Sequence, residues 1–534
     1  MSLTESYWPA DTSEPVKETT VGGILRDGAA RWPDKIALVE ADMAGVLRRR
    51  WTFAELLGDC ERLARALASR YGPGERICVW APNVPEWVLA EYAAGLAGLT
   101  LVTANPAYRP RELKYVVEQS RAAGLFIVPE HRGNPMAEIA GEVAAEVPAI
   151  REVVDMTDHA ALFGVGAHPR PLPDVKPHDP AQIQYTSGTT GFPKGALLHH
   201  RGLTNNARFT WARGEMREGD TLLNFMPMFH TSGCAFLTLG AMQFGCRMIL
   251  AKLFDPARML DIMEREKVEV LGGVPTMLVG LLEAQAAQPR DVSSVRIAIS
   301  GGSMVPPELV RRVTSTFGCA FEIVYGQTES SPVVTQHKTT DAFEDVCETA
   351  GQPSMQTEIS IRDPRTNAVV PIGAVGEICA RGYCVMLGYN DNPKATAEAI
   401  DAGGWLHTGD LGTMDERGYV RVTGRVKEMI IRGGENLFPA EIENILLEHP
   451  DVAEVAVVGV PDERWGEIVA CFVRPTAAGA FDHAALRAHC RQHLSPQKTP
   501  AHWIEVAEWP LTGSGKIQKF VLRDRFVAGE FEPA

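Results

Sequence analysis

The sequence predicts an α/β fold with three parts. These are a large N-terminal domain of parallel sheets covered by helices, a small β-barrel-like subdomain, and a small α+β domain at the C-terminus. Three observations carry this expectation. The chain has 534 residues, too many for one compact core, so at least two domains are expected. Its first half alternates helical and strand patterns, as parallel strands joined by helices do. From Val375 onward, short strand patterns separated by glycine turns replace that alternation.

The elements follow in order. Residues 55–70 have apolar positions at helical spacing, and 76–80 read as a buried strand. Residues 86–98 are helical and 100–103 a strand; 111–119 are helical and 124–128 a strand. The pattern returns as a helix at 261–267 and strands at 268–272 and 295–300. Residues 375–379 and 418–422 are strand patterns of a barrel-like or meander subdomain. The N-terminal domain is therefore placed at 1–424 and the C-terminal domain at 429–534. The latter reads as a helix at 440–448, strands at 455–460 and 468–473, a helix near 483–493 and a last helix after Lys519. No internal repeat is visible.

Composition narrows the class of function. Hydrophobic content of 45% and charged content of 22% are those of an ordinary globular protein. A net charge of −15 disfavours sequence-independent nucleic-acid binding, which needs clustered cations. The ten cysteines are scattered without a C-x-x-C pair, so they read as small buried hydrophobes in a reducing compartment. No signal core, membrane span or sorting tripeptide is seen, and the cytosol is expected.

The most specific stretch is Tyr185-Thr186-Ser187-Gly188-Thr189-Thr190-Gly191-Phe192-Pro193-Lys194-Gly195. Five of these residues carry hydroxyls, three are glycines and one is a lysine. Backbone N–H groups and hydroxyls in such a segment can wrap phosphate oxygens, and the lysine can neutralise their charge. It follows a strand-like run at 181–184 and precedes an ordered element at 196–200. It is not the P-loop of kinases and motor ATPases. Pro193 stands where the second glycine would be, and Gly195 follows the lysine in place of Ser or Thr. A serine- and glycine-rich surface loop has similar composition, but Pro193-Lys194 inside a glycine frame sets this one apart.

Two further strings carry chemistry. A strand pattern at 321–324 ends in Tyr325-Gly326-Gln327-Thr328-Glu329. That places an aromatic face, a hydroxyl and a carboxylate at the carboxyl end of a strand, where α/β sheets bind ligands. Tyr325 could stack on a purine, and Glu329 could hold magnesium, which takes hard oxygen ligands. A turn with a packed tyrosine and a solvated glutamate is the plain alternative. In Trp405-Leu406-His407-Thr408-Gly409-Asp410, the aspartate could accept two hydrogen bonds from a ribose diol. Turn capping is its plain alternative.

Taken together these strings resemble the signature motifs of the adenylate-forming superfamily, which includes acyl-CoA synthetases, luciferases and the adenylation domains of peptide synthetases. Five ordered motifs spanning about residues 20–530 carry the resemblance. It implies that Thr186, Ser187, Gly188, Thr189, Thr190, Gly191 and Lys194 hold the phosphates of ATP. It places Tyr325, Gly326 and Thr328 at the adenine and magnesium site, with Glu329 as the metal carboxylate. Gly301-Gly302-Ser303 matches the segment lining the acyl pocket and the adenine. Asp410 matches the residue that grips the ribose, and Arg425 a second nucleotide contact. Lys516, in a glycine-rich loop, matches the lysine that contacts the substrate carboxylate and α-phosphate during adenylation. Lys427 matches the hinge, placed at 425–428, about which the small C-terminal domain is mobile. Gly433 and Gly434, with Glu435 and Asn436, match the loop that borders the pantetheine tunnel after rotation. In isolation that loop reads as a glycine turn before a helix capped at Asn436 or nearby.

The resemblance also bears on the acid. Met226-Pro227-Met228-Phe229-His230 matches the acid-pocket motif. Amino-acid-activating members place Asp where this chain has His230, and a buried unpaired ammonium is costly, so an α-amino acid is disfavoured. His230 matches a gate near the carboxylate; a packed core histidine is the alternative. The pocket wall is expected from His230, Gly301, Gly302, Gly326, Gln327 and Val333, a small and uncharged lining. The chain most resembles medium-chain acyl-CoA synthetases. The expected substrates are a small carboxylic acid, ATP with Mg2+, and coenzyme A. An aryl, alicyclic or steroid-side-chain acid is the alternative acid, and a carrier protein the alternative acceptor. A luciferase-like oxygenase and a silent nucleotide-binding regulator are the remaining readings. Oligomeric state is not readable, a homodimer being among the options.

Overall fold

The computed structural model describes residues 3–166, 170–186, 193–433, 435–476, 481–511 and 517–531. The chain divides into two compact units. One comprises Trp8–Ile359 and Ala380–Leu406; the other comprises Met1–Tyr7, Ser360–Cys379 and His407–Ala534. The segment expected as a hinge, 425–428, lies inside the second unit. No helix among the described residues is long and apolar enough to cross a membrane.

The first unit is framed by two sheets. The seven-stranded sheet runs in the order Gly388–Tyr389, Lys194–His199, Pro180–Thr186, Thr100–Ala104, Arg76–Trp80, Gly124–Ile127, Glu152–Asp155. From Pro180–Thr186 to Glu152–Asp155 its neighbours are parallel. Beyond Pro180–Thr186 they are antiparallel. The nine-stranded sheet repeats this plan. Parallel strands occupy its middle, and Val333–Gln336 and Leu47–Thr52 pair antiparallel with their inner neighbours.

Local chemistry explains the helices that cover these sheets. Phe53–Arg70 starts at a capping box, in which Thr52 and Glu55 satisfy each other's backbone N–H groups. Pro85–Ala97 is buried along its whole length because its sequence is apolar on every side. Gly98 ends it in the left-handed region at φ 66°, where a Cβ would be strained. Trp80, Trp87, Trp211 and Phe53 are fully buried in this unit's core.

The second unit contains most of a five-stranded sheet in the order Tyr7–Trp8, Thr357–Arg362, Gly376–Gly382, Leu406–Met414, Val420–Arg425. Its remaining part is built on the long antiparallel hairpin of Val452–Asp462 and Gly466–Pro475. His502–Glu505 joins that hairpin in parallel, and helices Pro439–Leu447, His483–His493 and Lys519–Val527 accompany it. Ile442, Leu446, Val457, Cys471 and Trp503 form the core there. Burial opposes the charge of Lys519, yet Glu443, 2.7 Å away, and Glu428 outweigh it and hold the ammonium above its ordinary pKa.

One local expectation needs correction. The helix read at 440–448 is Pro439–Leu447, and Asn436 does not cap it. Asn436 lies in the strand Glu435–Leu437, and Pro439 opens the helix with its fixed φ, where no N–H is needed. The ordered element expected after the signature loop is a strand, Lys194–His199, followed by a helix from His200. The strands on either side of the loop, Pro180–Thr186 and Lys194–His199, pair antiparallel.

Candidate active site

In the first unit the two strands that flank the signature loop are paired up to its edges. Thr186 is in register with Lys194, and Tyr185 with Gly195. Thr186 Oγ1 donates to the Lys194 carbonyl at 3.4 Å. The base of the loop is braced from the neighbouring helix Pro110–Ser120. Tyr115 Oη donates to the Pro193 carbonyl at 2.8 Å, and Tyr185 Oη to Gln119 Oε1 at 2.7 Å. Burial pushes the Tyr185 phenol up, so it remains a donor. Gly195 is required by packing: a Cβ there would meet Ile183 Cγ2 at 2.8 Å. Ser187, Gly188, Thr189, Thr190 and Gly191 lie outside the described residues.

Lys194 and Glu329 meet at one tyrosine. Strand Ala320–Gly326 carries Tyr325 and Gly326 to its carboxyl end, and a short 3-10 turn, Thr328–Ser330, follows. Thr328 and Glu329 are buried. Glu329 Oε1 accepts a hydrogen bond from Tyr389 Oη at 2.7 Å. The Lys194 ammonium lies 5.0 Å from the centroid of the same ring. Burial, and then the Glu329 carboxylate, push the Tyr389 phenol above its ordinary range. The turn itself is fixed by Ser330 Oγ, which donates to the Gln327 and Pro332 carbonyls and accepts from the Gln327 N–H.

The expected acid-pocket residues have strong structural constraints. A Cβ at Gly301 would meet the Val324 carbonyl at 2.3 Å, and one at Gly326 the Pro332 carbonyl at 1.9 Å. Both glycines are therefore demanded by strand approach. Gly302 has φ 80°, in the region that favours glycine. Val333 is buried, and Asn206 clamps its N–H and carbonyl at 3.0 and 2.7 Å. Gln327 is half-buried.

His230 stands two residues before an unusual element, a π-helix at Ser232–Leu239. Such turns are rare and recur at functional sites. The Ser232 N–H lies 3.2 Å from His230 Nδ1, and Ser232 Oγ lies 2.9 Å from the same nitrogen. A buried polar chain underlies this helix. Glu91 accepts from Gln182 at 2.6 Å, Gln182 accepts from Gln184 at 2.7 Å, and Gln184 reaches Cys234 Sγ at 3.1 Å.

In the second unit, Asp410 lies in the strand Leu406–Met414, not in the turn that its sequence context suggests. Arg425 is opposite it in the strand register, with Nε 3.0 Å from Asp410 Oδ1. Gly409, at φ 73°, turns the chain just before it. Glu377 holds that turn: Oε1 accepts from the Gly409 N–H at 2.9 Å, and Oε2 lies 2.8 Å from His407 Nδ1. Cys379 Sγ is 3.5 Å from the same nitrogen. Lys427 is exposed in a turn, and Gly433, at φ 59°, donates its N–H to the Trp465 carbonyl at 2.7 Å. Gly434 and Lys516 lie outside the described residues; a bridge between Leu511 and Ile517 closes the base of the Lys516 loop.

Sequence reading missed Tyr389 and Glu377. Each works through a hydrogen bond to a residue distant in sequence or across a sheet, and neither stands in a string whose spacing announces it. The chemical fit to magnesium rests on Glu329. It is a hard oxygen donor held on one oxygen by a phenol, and magnesium is commonly bound through one or two carboxylates plus substrate phosphates.

Comparison with known proteins shows the family. Residues 25–390 match the model of the AMP-binding enzyme family, and 441–516 match the AMP-binding enzyme C-terminal domain. YngI of Bacillus subtilis, which carries an acyl-CoA synthetase assignment, is 36% identical over 538 residues, covering 95% of this chain and 97% of that protein. The human mitochondrial medium-chain acyl-CoA ligase ACSF2 is 34% identical over 559 residues, covering 97% and 89%. The structure of o-succinylbenzoate CoA synthetase (MenE) from Bacillus subtilis, in complex with the acyl-adenylate intermediate OSB-AMP, superposes with a TM-score of 0.83 at 27% identity, covering 96% and 98%. The chain belongs to the AMP-binding, adenylate-forming enzyme family. It is an AMP-forming acid–thiol ligase, an acyl-CoA synthetase that uses ATP and coenzyme A.

Proposed function

We propose that this enzyme activates a medium-chain fatty acid, with Mg-ATP, in the cytosol. The observation that carries the site assignment is the arrangement of Lys194 and Glu329 around Tyr389, beside the hairpin closed by the signature loop. The medium-chain preference is supported by the likeness to ACSF2 and by His230 standing where a carboxylate would pair an amino group.

The reaction has two displacements. A carboxylate oxygen of the acid attacks the α-phosphorus of ATP, the bond to the bridging oxygen breaks, and pyrophosphate leaves. Thr186, the signature loop and Lys194 hold the departing phosphates, and Tyr325, Asp410 and Arg425 bind the nucleoside. Lys516 contacts the carboxylate and α-phosphate, where a fixed cation in a water-poor site lowers the barrier. Magnesium, when bound through Glu329, neutralises phosphate charge. In the second step the thiol sulfur of coenzyme A attacks the acyl carbon, its proton is lost, and the C–O bond to AMP breaks. His230 gates the carboxylate end of the pocket. The segment 429–534 rotates about 425–428 between the steps, withdrawing Lys516 and bringing Gly433 and Gly434 to the pantetheine. Acid-dependent exchange of labelled pyrophosphate into ATP tests the first step without coenzyme A. Exchange that proceeds equally without any acid would count against the proposal.

A further inference from the structure

We propose that Tyr389 is a positioning residue that keeps the phosphate-binding lysine and the metal-binding carboxylate apart and each correctly aimed. The inference rests on the assignment of Glu329 to the metal and Lys194 to the phosphates.

One side chain serves two opposite charges through different parts. The hydroxyl donates to Glu329 Oε1 at 2.7 Å, and the ring lies under the Lys194 ammonium at 5.0 Å. A cation over an aromatic face is held by the ring quadrupole without being neutralised. Lys194 and Glu329 form no ion pair within 4.0 Å among the described residues. A direct ion pair would occupy the carboxylate oxygens that a metal needs and the ammonium that the phosphates need.

The backbone around Tyr389 suits this task. Gly388–Tyr389 is a two-residue strand paired with the lysine's own strand, Tyr389 opposite Ala196 and Gly388 opposite Leu197. The Asn390 N–H donates to the Gly195 carbonyl at 2.7 Å, one residue from Lys194. On the other side the Met386 N–H donates to the Glu329 carbonyl at 2.8 Å. The Tyr389 N–H is held by Thr396 Oγ1 at 2.9 Å. Five successive residues thus bond both to the strand bearing Lys194 and to the turn bearing Glu329. The phenol reports the position of each to the other.

Tyr389→Phe separates the two functions because it keeps the ring and deletes the hydroxyl. The test measures ATP binding to the full-length enzyme by calorimetry, with and without Mg2+, for wild type, Tyr389→Phe, Tyr389→Leu and Glu329→Gln. The increment in ATP affinity that Mg2+ confers is expected to fall about tenfold in Tyr389→Phe, while metal-free ATP binding is unchanged. In Tyr389→Leu metal-free binding is expected to weaken as well, because Lys194 loses its seat. If Tyr389→Phe keeps the full Mg2+ increment while Glu329→Gln loses it, the inference is overturned and the metal assignment survives. If Glu329→Gln keeps the increment, the assignment beneath the inference fails. Equal weakening of metal-free and Mg2+-dependent binding in Tyr389→Phe would show a merely structural role and also overturn it.

Discussion

Arg425 Nε lies 3.0 Å from Asp410 Oδ1, and the two residues face each other in the register of adjacent antiparallel strands. The pairing is built into the hairpin, so the fold itself fixes the carboxylate. With 9% of the Asp410 side chain exposed against 48% for Arg425, the carboxylate is the more desolvated partner. On the proposed role of Asp410 as acceptor for the ribose hydroxyls, its loss removes charge-assisted hydrogen bonds. Asp410→Ala is therefore expected to raise the KM for ATP about tenfold or more, with the KM for the acid little changed. Steady-state kinetics with each substrate varied in turn checks this.

Lys516 is assigned to adenylation alone. Lys516→Ala is expected to lose most acid-dependent pyrophosphate exchange, by about a hundredfold or more. It should retain thioester formation from added acyl-AMP and coenzyme A. Unchanged exchange in the variant would contradict the assignment.

Lys427 offers a clean test of rotation. Among the described residues its N–H donates to no acceptor, and proline there fixes φ. Lys427→Pro is expected to impair thioester formation more than adenylation, measured as separate half-reactions in single-turnover experiments. Equal loss of both would argue against a hinge at this position.

Glu322 gives a pH prediction away from the chemistry. It is fully buried on the strand that leads to Tyr325, with Oε2 accepting from Gln336 at 2.6 Å. Burial raises its pKa from 4.5 to about 8, against the lowering effects of Gln336 and Arg213. The unfolded chain releases this proton near pH 4.5, whereas the folded protein keeps it until about 8. The folded state thus binds more protons in that window, and stability falls as pH rises through it. Glu322→Gln is expected to flatten this slope and to be more stable than wild type at the upper end of the window. Denaturant midpoints across the window check both statements.

Much of the fold was legible because helix and strand periods are local. The helix read at 55–70 is Phe53–Arg70, and the strand at 76–80 is Arg76–Trp80. Lys194, Glu329 and Asp410 were singled out for a different reason, as members of motif strings, and their roles are proposals. What escaped depends on tertiary pairing. Tyr389 is 60 residues from Glu329, and only the edge strand Gly388–Tyr389 brings it to both charged groups. The π-helix at Ser232–Leu239 escaped because its residues are almost all apolar and buried, so no polar face revealed its period. For Asp410 a turn-capping role was the plain alternative, and its register with Arg425 in the paired strands could not be read from the string itself.

The central claim concerns the acid. A panel of carboxylic acids, assayed for coenzyme A-dependent release of AMP, tests it most directly. The account predicts the highest kcat/KM for medium-chain saturated fatty acids, with α-amino acids inactive. Strong preference for an amino or hydroxycinnamic acid, or AMP release that needs a carrier protein in place of coenzyme A, would contradict it.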